Sequence, residues 1–196
     1  MTVQGSIQAD ASAEAFARLA EENALLRASM GELRARLDEM EQASERDALT
    51  GLPNRPSFLR SLERTVSNAN RHGTPAALLY IDVDGLDAIN SGHGQVAGDA
   101  ALIHVGKLLA GLIRGTDFAA RVGGDEFAVI LDHLDMDSAI ETSERIGRFV
   151  ADHPLDLGAG TLPVPVTIGL ATIMRGDTST DVLHRGEVTM HKAKAA

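Results

Sequence analysis

"RVGGDEFAVIL", residues Arg121–Leu131, sets a polar knot between two short apolar runs. The runs read as β-strands and the Gly-Gly-Asp-Glu knot as the turn that joins them. A tight hairpin needs no more than a pair such as Asn-Gly or Gly-Gly. The carboxylates of Asp125 and Glu126 therefore pose a choice. Either the tip is simply charged, or negative groups hold something close to the backbone there. Gly123 and Gly124 suit the second, because a phosphate or sugar can reach the main chain where no Cβ stands in the way.

A second acidic pair lies upstream. "AALLYIDVD", Ala76–Asp84, is an apolar run closed by Asp82 and Asp84. It reads as a buried strand. Acids at strand ends and turns converge if their strands are neighbours. Hard oxygen ligands of this kind suit Mg²⁺, which takes one or two carboxylates together with substrate phosphates. Two such ions can clamp the attacking and leaving oxygens of a phosphoryl or nucleotidyl transfer. From spacing alone, this reading and a set of solvated strand-end acids stand level.

Composition narrows the classes. The 196 residues carry a formal net charge of −10, no Cys and no Trp. A disulfide framework and a thiolate metal site are excluded. So acidic a chain is not built to coat a nucleic acid polymer or an anionic membrane. An anionic ligand needs a local remedy, from metal ions or from helix N-termini. No apolar run approaches the ~18 residues of a spanning helix. The N-terminus lacks the basic and apolar regions of a signal peptide, so a soluble, cytoplasmic protein is expected. The seven histidines show no ligand spacing and read as surface or helix residues.

Two parts follow along the chain. In the first, Phe16, Leu19, Asn23, Leu26, Met30, Leu33, Leu37 and Met40 alternate steps of three and four. That heptad seam predicts a coiled coil over residues 1–46, with roughly the first 10 residues disordered. Asn23 at an a position favours a parallel, in-register pair, in which Glu22 faces Arg27 and Arg36 faces Glu41 of the partner. A single amphipathic helix is the alternative, but the seam is narrow for ordinary core packing. In the second part, Gly51 and Pro53 break the pattern and Asn54 with Pro56 starts a helix to about His72. The strand to Asp84, a helix from "GQVAGD", the opening hairpin, a helix over "SAIETSERIGRFVAD", a strand at "VPVTIGLAT" and a last helix at "DVLHRGEVTMHKAKA" complete it. The expected fold is a compact α/β or α+β domain over residues 47–196, a central sheet flanked by helices.

The motifs match a family. "RVGGDEFAVIL" carries the GGDEF signature letter for letter, and the chain resembles the GGDEF-domain diguanylate cyclases. "DALTGLPNR", "IDVDGLDAIN", "GQVAGD", "VTIGLA" and "HKAK" resemble further motifs of that family, in order, over about residues 47–196. The resemblance implies a sheet like the palm of nucleotidyl cyclases and polymerases. It implies condensation of two GTP into cyclic di-GMP with loss of two pyrophosphates, in a homodimer paired here by the coil. Two Mg²⁺ per site are implied, with Mn²⁺ an alternative. Asp82, Asp125 and the Val83 carbonyl would hold metal, and Glu126 would assist metal or hydroxyl activation. Asn90 and Asp99 would read guanine, with Gly123 and Gly124 beneath the nucleotide and Lys194 at the phosphates.

"RGTD", Arg114–Asp117, lies upstream of Gly123 with five residues between them. Arg can fork onto guanine O6 and N7. In the resembled family an RxxD at this offset is the product-inhibition site, to which Arg145 adds a contact. An Arg–Asp pair that merely closes a turn is the plain alternative. The chain also departs from the pattern. Leu86-Asp87 replaces a Phe-Lys pair, Ser91 an Asp, and Gln95 a His. Gly186-Glu187 and Met190-His191 replace Ala-Asp and Leu-Tyr, and no Gly-Arg-Asn follows before Ala196. These changes remove positive charge from the triphosphate end. They raise a second expectation, a catalytically weak or inactive domain that receives cyclic di-GMP or GTP and signals through its coil. A dimerisation adaptor without a ligand is a third, against which intact Asp82, Asn90, Asp99 and Asp125 argue.

Overall fold

The computed structural model describes residues 18, 19, 21–34, 36, 45–158 and 160–195. The chain divides into two compact units, Met1–Ala43 and Ser44–Ala196. In the first, residues 21–34 are helical. Leu19, Leu26, Met30 and Leu33 of the predicted seam leave 51–61% of their surface exposed in the single chain. Phe16, Leu37, Met40 and Glu41 lie outside the described residues. At Glu45 and Arg46, where the sequence predicts continuing helix, the chain is not helical: Glu45 is a bend. Arg46 instead bridges Pro53, and its guanidinium donates to the Gly51 carbonyl at 2.6 Å. Closing that turn consumes the backbone groups a continuing helix would need.

Helix α1 (Arg55–His72) starts where Asn54 accepts a hydrogen bond from the Ser57 amide, and it stops at Gly73 with φ +67°. Strand β1 (Ala76–Val83) is buried at every residue. Helices α2 (Leu86–His93) and α3 (Gln95–Leu112) follow. The hairpin is β2 (Phe118–Arg121) and β3 (Glu126–Asp132), and α4 (Met136–Asp152) leads to a minor ribbon of β4 (Leu155–Asp156) and β5 (Thr161–Leu162). Strand β6 (Val166–Ile173) and helix α5 (Ser179–Lys194) close the chain. Helix α5 opens on a capping box formed by Thr178 and Asp181.

The main sheet has the order β2-β3-β1-β6, and each neighbouring pair is antiparallel. An antiparallel sheet commonly leaves one face wet, which gives its strands an alternating pattern. Here β1 is apolar at nearly every residue because helices cover both faces. Leu79, Ile81, Phe127 and Val129 pack against α3 and α4 through Leu102, Val105, Leu109 and Ile146. Leu78, Tyr80 and Ile130 pack against α1 and α5 through Phe58, Leu62, Val182 and Met190. Each such large side chain withdrawn fully from water contributes about 1.5–3 kcal/mol. Gly169 sets how close α5 comes, since a Cβ there would run into the helix backbone at Gly186 and Met190. No helix among the described residues is long and apolar enough to cross a membrane.

Candidate active site

The register of the sheet gathers the acids. Asp82 near the end of β1 lies directly opposite Glu126 at the start of β3, and opposite Thr167 of β6 on its other side. The Val83 amide donates to the Asp125 carbonyl at 3.0 Å, which pins the hairpin tip beside the end of β1. Asp84 accepts from Thr167 Oγ1 at 2.9 Å on both carboxylate oxygens. Asp82 is buried, at 5% exposure, and its carboxylate meets the Lys194 ammonium. Lys194 Nζ also lies 4.0 Å from Asp84 Oδ1. The hydrogen bond to Asp82, with the charges of Asp82, Asp84 and Asp125, holds the Lys194 pKa above its ordinary value. Thus the lysine expected at the phosphates sits on the acids in this chain.

Among the described residues no three His, Asp or Glu side chains close into a cation cage. The donors that do meet are hard oxygens beside the main chain, and a cationic ammonium already sits on one of them. That set suits Mg²⁺, which keeps waters and substrate phosphates in its shell rather than an all-protein cage.

The glycines of the knot divide. A Cβ on Gly123 would run into the Glu126 carboxylate, whereas one on Gly124 would meet nothing within 4 Å. Gly123 is therefore demanded by the fold of the knot itself, and Gly124 leaves its backbone open. Tyr80 lies two residues from Asp82 on the same face of β1, diagonal to Glu126 across the ladder, and is 2% exposed. Burial first, and then the Glu126 carboxylate, push its phenol well above the ordinary range. Tyr80 was not marked by any sequence motif, although the alternation of β1 places it beside Asp82.

Asn90 lies on α2 and Asp99 on α3, the residue after Gly98. The side-chain amide of Asn90 sits against Gly98, where a Cβ would collide with it. Asn90 Oδ1 is a buried polar atom without a hydrogen-bond partner, one of two among the described residues, the other being Arg121 Nε. Such an orphan needs an explanation, and a ligand N–H supplies one. Asp87 is exposed in the first turn of α2, where a negative charge suits the helix dipole.

Arg121 is a second residue that sequence reading passed over. It donates to Asp47 through Nη1 at 3.2 Å and to the Gly124 carbonyl through Nη2 at 2.6 Å. Its backbone amide donates to the Pro53 carbonyl at 3.0 Å. Asp47 in turn receives the Thr50 amide and hydroxyl, each at 2.7 Å. The "DALTGLPNR" turn and the acidic knot are thereby tied into one network. Burial of Asp47 opposes its charge, but the Thr50 bonds and Arg121 outweigh it and hold its pKa low. Asp177 is held low by Arg185 and the Met174 amide. Because these acids ionise more readily folded than unfolded, their contribution to stability is complete above about pH 5 and fades as pH falls below about 4. Urea midpoints are expected to stay level from pH 7 to 5 and to drop below 4. Asp47→Asn should flatten that drop; an equally steep fall in the variant would remove Asp47 from the account.

The Arg114–Asp117 pair closes a turn and also opens a cleft. Asp117 Oδ2 accepts from the Arg114 amide at 2.9 Å, as the plain alternative expects. The Arg114 side chain, however, lines an open cleft of about 470 Å³ with Arg145 and Arg148 of α4. A further cleft, about 900 Å³, runs along α1 past Arg60, Arg64 and Arg71 and contains none of the acidic cluster.

Comparison with known proteins identifies the family. The family described as diguanylate cyclase, GGDEF domain, matches residues 44–196. The diguanylate cyclase TpbB of Pseudomonas aeruginosa is 37% identical over 151 residues, covering 76% of this chain and 34% of that protein. The response regulator PleD of Caulobacter vibrioides is 35% identical over 167 residues, 84% of this chain and 37% of that protein. The chain thus spans about a third of these relatives. Among solved structures, the coiled coil and GGDEF domain of DgcB from Caulobacter crescentus, in complex with cyclic di-GMP, superposes with a TM-score of 0.74. It is 27% identical and covers 91% of this chain and 93% of that one. With a palm-like antiparallel sheet, the signature knot at its hairpin tip and a family match over most of its length, the chain belongs to the GGDEF-domain family of diguanylate cyclases.

Proposed function

We propose that two copies of this chain condense two GTP into one cyclic di-GMP and two pyrophosphates. The observation that carries this is the convergence of Asp82, Val83, Asp125 and Glu126 at one end of the sheet. Asp82, Asp125 and the Val83 carbonyl would hold Mg²⁺, which when bound neutralises phosphate charge and polarises the reacting oxygens. Asn90 Oδ1 and the Asp99 carboxylate accept from guanine N–H groups that adenine does not present in the same pattern. The exposed backbone at Gly124 accommodates the nucleotide. Each 3′-hydroxyl oxygen bonds to the α-phosphorus of the opposite GTP as the bond to pyrophosphate breaks. Glu126 receives the hydroxyl proton or relays it to solvent.

The reaction needs two sites face to face. The exposed apolar stripe of residues 19–33 supports a parallel coiled coil as the element that pairs them. Arg114, which lines one cleft with Arg145 and Arg148, supports product binding there. Arg114→Ala is expected to weaken cyclic di-GMP binding at least about tenfold, from loss of a bidentate guanine contact, and to relieve inhibition by added product. Calorimetry on protein stripped of nucleotide checks this; equal affinity would dismiss the site.

A second reading keeps the arginine cleft and gives up turnover. It is favoured by Asp87, which is exposed and stands where the resembled family has a lysine. Nucleotide-free protein that binds cyclic di-GMP through Arg114 but yields no product from GTP and Mg²⁺ would establish it. Both readings place the protein in the cytoplasm, where GTP is available.

A further inference from the structure

Asp82 is a buried carboxylate on a strand covered on both faces. Burying a lone charge is costly, so such a group requires a cation or several donors. Its partner is Lys194, the last residue of α5. The lysine side chain is 45% exposed and long enough to stay in solvent, yet it reaches back to Asp82 and Asp84, 112 and 110 residues earlier. Helix α5 approaches β6 closely at Gly169, which lies against Gly186 and Met190 of the helix. The ammonium rests on the carboxylate to which the proposed function assigns the divalent ion. An ammonium and a divalent cation on the same carboxylate repel each other strongly in so buried a place.

We propose that Lys194 is a tethered counter-ion that competes with the divalent cation for Asp82, and that cation binding releases its ammonium toward the incoming phosphates. This rests on the reading of Asp82 as a metal ligand. It links metal and nucleotide binding: the ion displaces the lysine, and the displaced lysine meets the negative charge that arrives with GTP. A site blocked by its own lysine nine-tenths of the time would bind metal roughly tenfold more weakly than an open one. The lysine would therefore keep the resting site from holding metal before substrate is present.

The test is Mn²⁺ binding to the nucleotide-free full chain, followed by the electron paramagnetic resonance of free Mn²⁺, with melting temperatures taken with and without Mn²⁺. Lys194→Met keeps the stem and removes the charge. It is expected to bind Mn²⁺ several-fold more tightly than the wild type and to gain more in melting temperature on adding Mn²⁺. Lys194→Arg, which keeps the charge, should stay near wild type. Asp82→Asn should lose binding. If Lys194→Met binds no more tightly while Asp82→Asn still loses binding, the competition is refuted and the metal site stands. If Asp82→Asn binds Mn²⁺ as well as wild type, the assignment of Asp82 as a ligand fails, and the competition with it.

Discussion

Asp125→Ala should cut cyclic di-GMP formation by about 10³-fold or more while leaving the fold in place. The carboxylate at this tip is proposed to hold the ion that neutralises the reacting phosphates, and groups that stabilise developing charge are worth about 10²–10³ each in kcat. A thousandfold loss corresponds to about 4 kcal/mol of barrier. The structural cost is expected to be small. Asp125 is at the tip of the hairpin, and the bond that anchors it there runs from the Val83 amide to the Asp125 backbone carbonyl, which alanine retains. The melting temperature should therefore stay within a few degrees of wild type. A variant retaining a tenth or more of the wild-type rate would remove Asp125 from the chemistry. Asp82→Asn is a less clean probe, because it also strips the buried partner from Lys194.

Removing residues 1–43 should leave a folded domain whose rate per chain depends steeply on protein concentration. The remaining unit, Ser44–Ala196, is compact in its own right. Two domains held by a coil face each other at an effective concentration near millimolar, and that advantage disappears when the tether is cut. At submicromolar protein the rate per chain is expected to fall at least about 10- to 100-fold, and to recover as concentration rises. Sedimentation should show the loss of the dimer over the same range. An unchanged rate together with unchanged dimerisation would refute the role of the coil.

The parts of the fold that were legible in the sequence are those dictated by local rules. Asn54 and Pro56 announce α1, and Gly73 ends it. The unbroken run of β1 reports burial on both faces. The Gly-Gly-Asp-Glu knot, 123–126, lies at the junction of its two strands as expected, except that Glu126 is already the first residue of β3. Helix α2 escaped because eight residues carrying Asp87, Asn90 and Gly92 show no periodicity. The two-residue strands β4 and β5 are too short for any pattern. For the site, the motif letters picked out the acids that the sheet register gathers, and Asn90 and Asp99, which are proposed to read guanine. What they could not convey is contact between distant positions. The Arg121–Asp47 tie spans 74 residues and the Lys194–Asp82 pair 112. Each depends on strand register and helix approach rather than on neighbouring residues. Gly123 shows the same limit from the other side. Its lack of a side chain looks like room for a ligand, but in the folded chain that room is taken by Glu126.

The central claim is that this chain turns GTP over. Its most direct test is to strip the purified protein of bound nucleotide, supply GTP and Mg²⁺, and measure pyrophosphate and cyclic nucleotide together. The account predicts cyclic di-GMP with two pyrophosphates for each molecule formed, no corresponding product from ATP, and no product from Asp125→Ala. Full-length protein that binds GTP yet releases neither pyrophosphate nor cyclic di-GMP would contradict it.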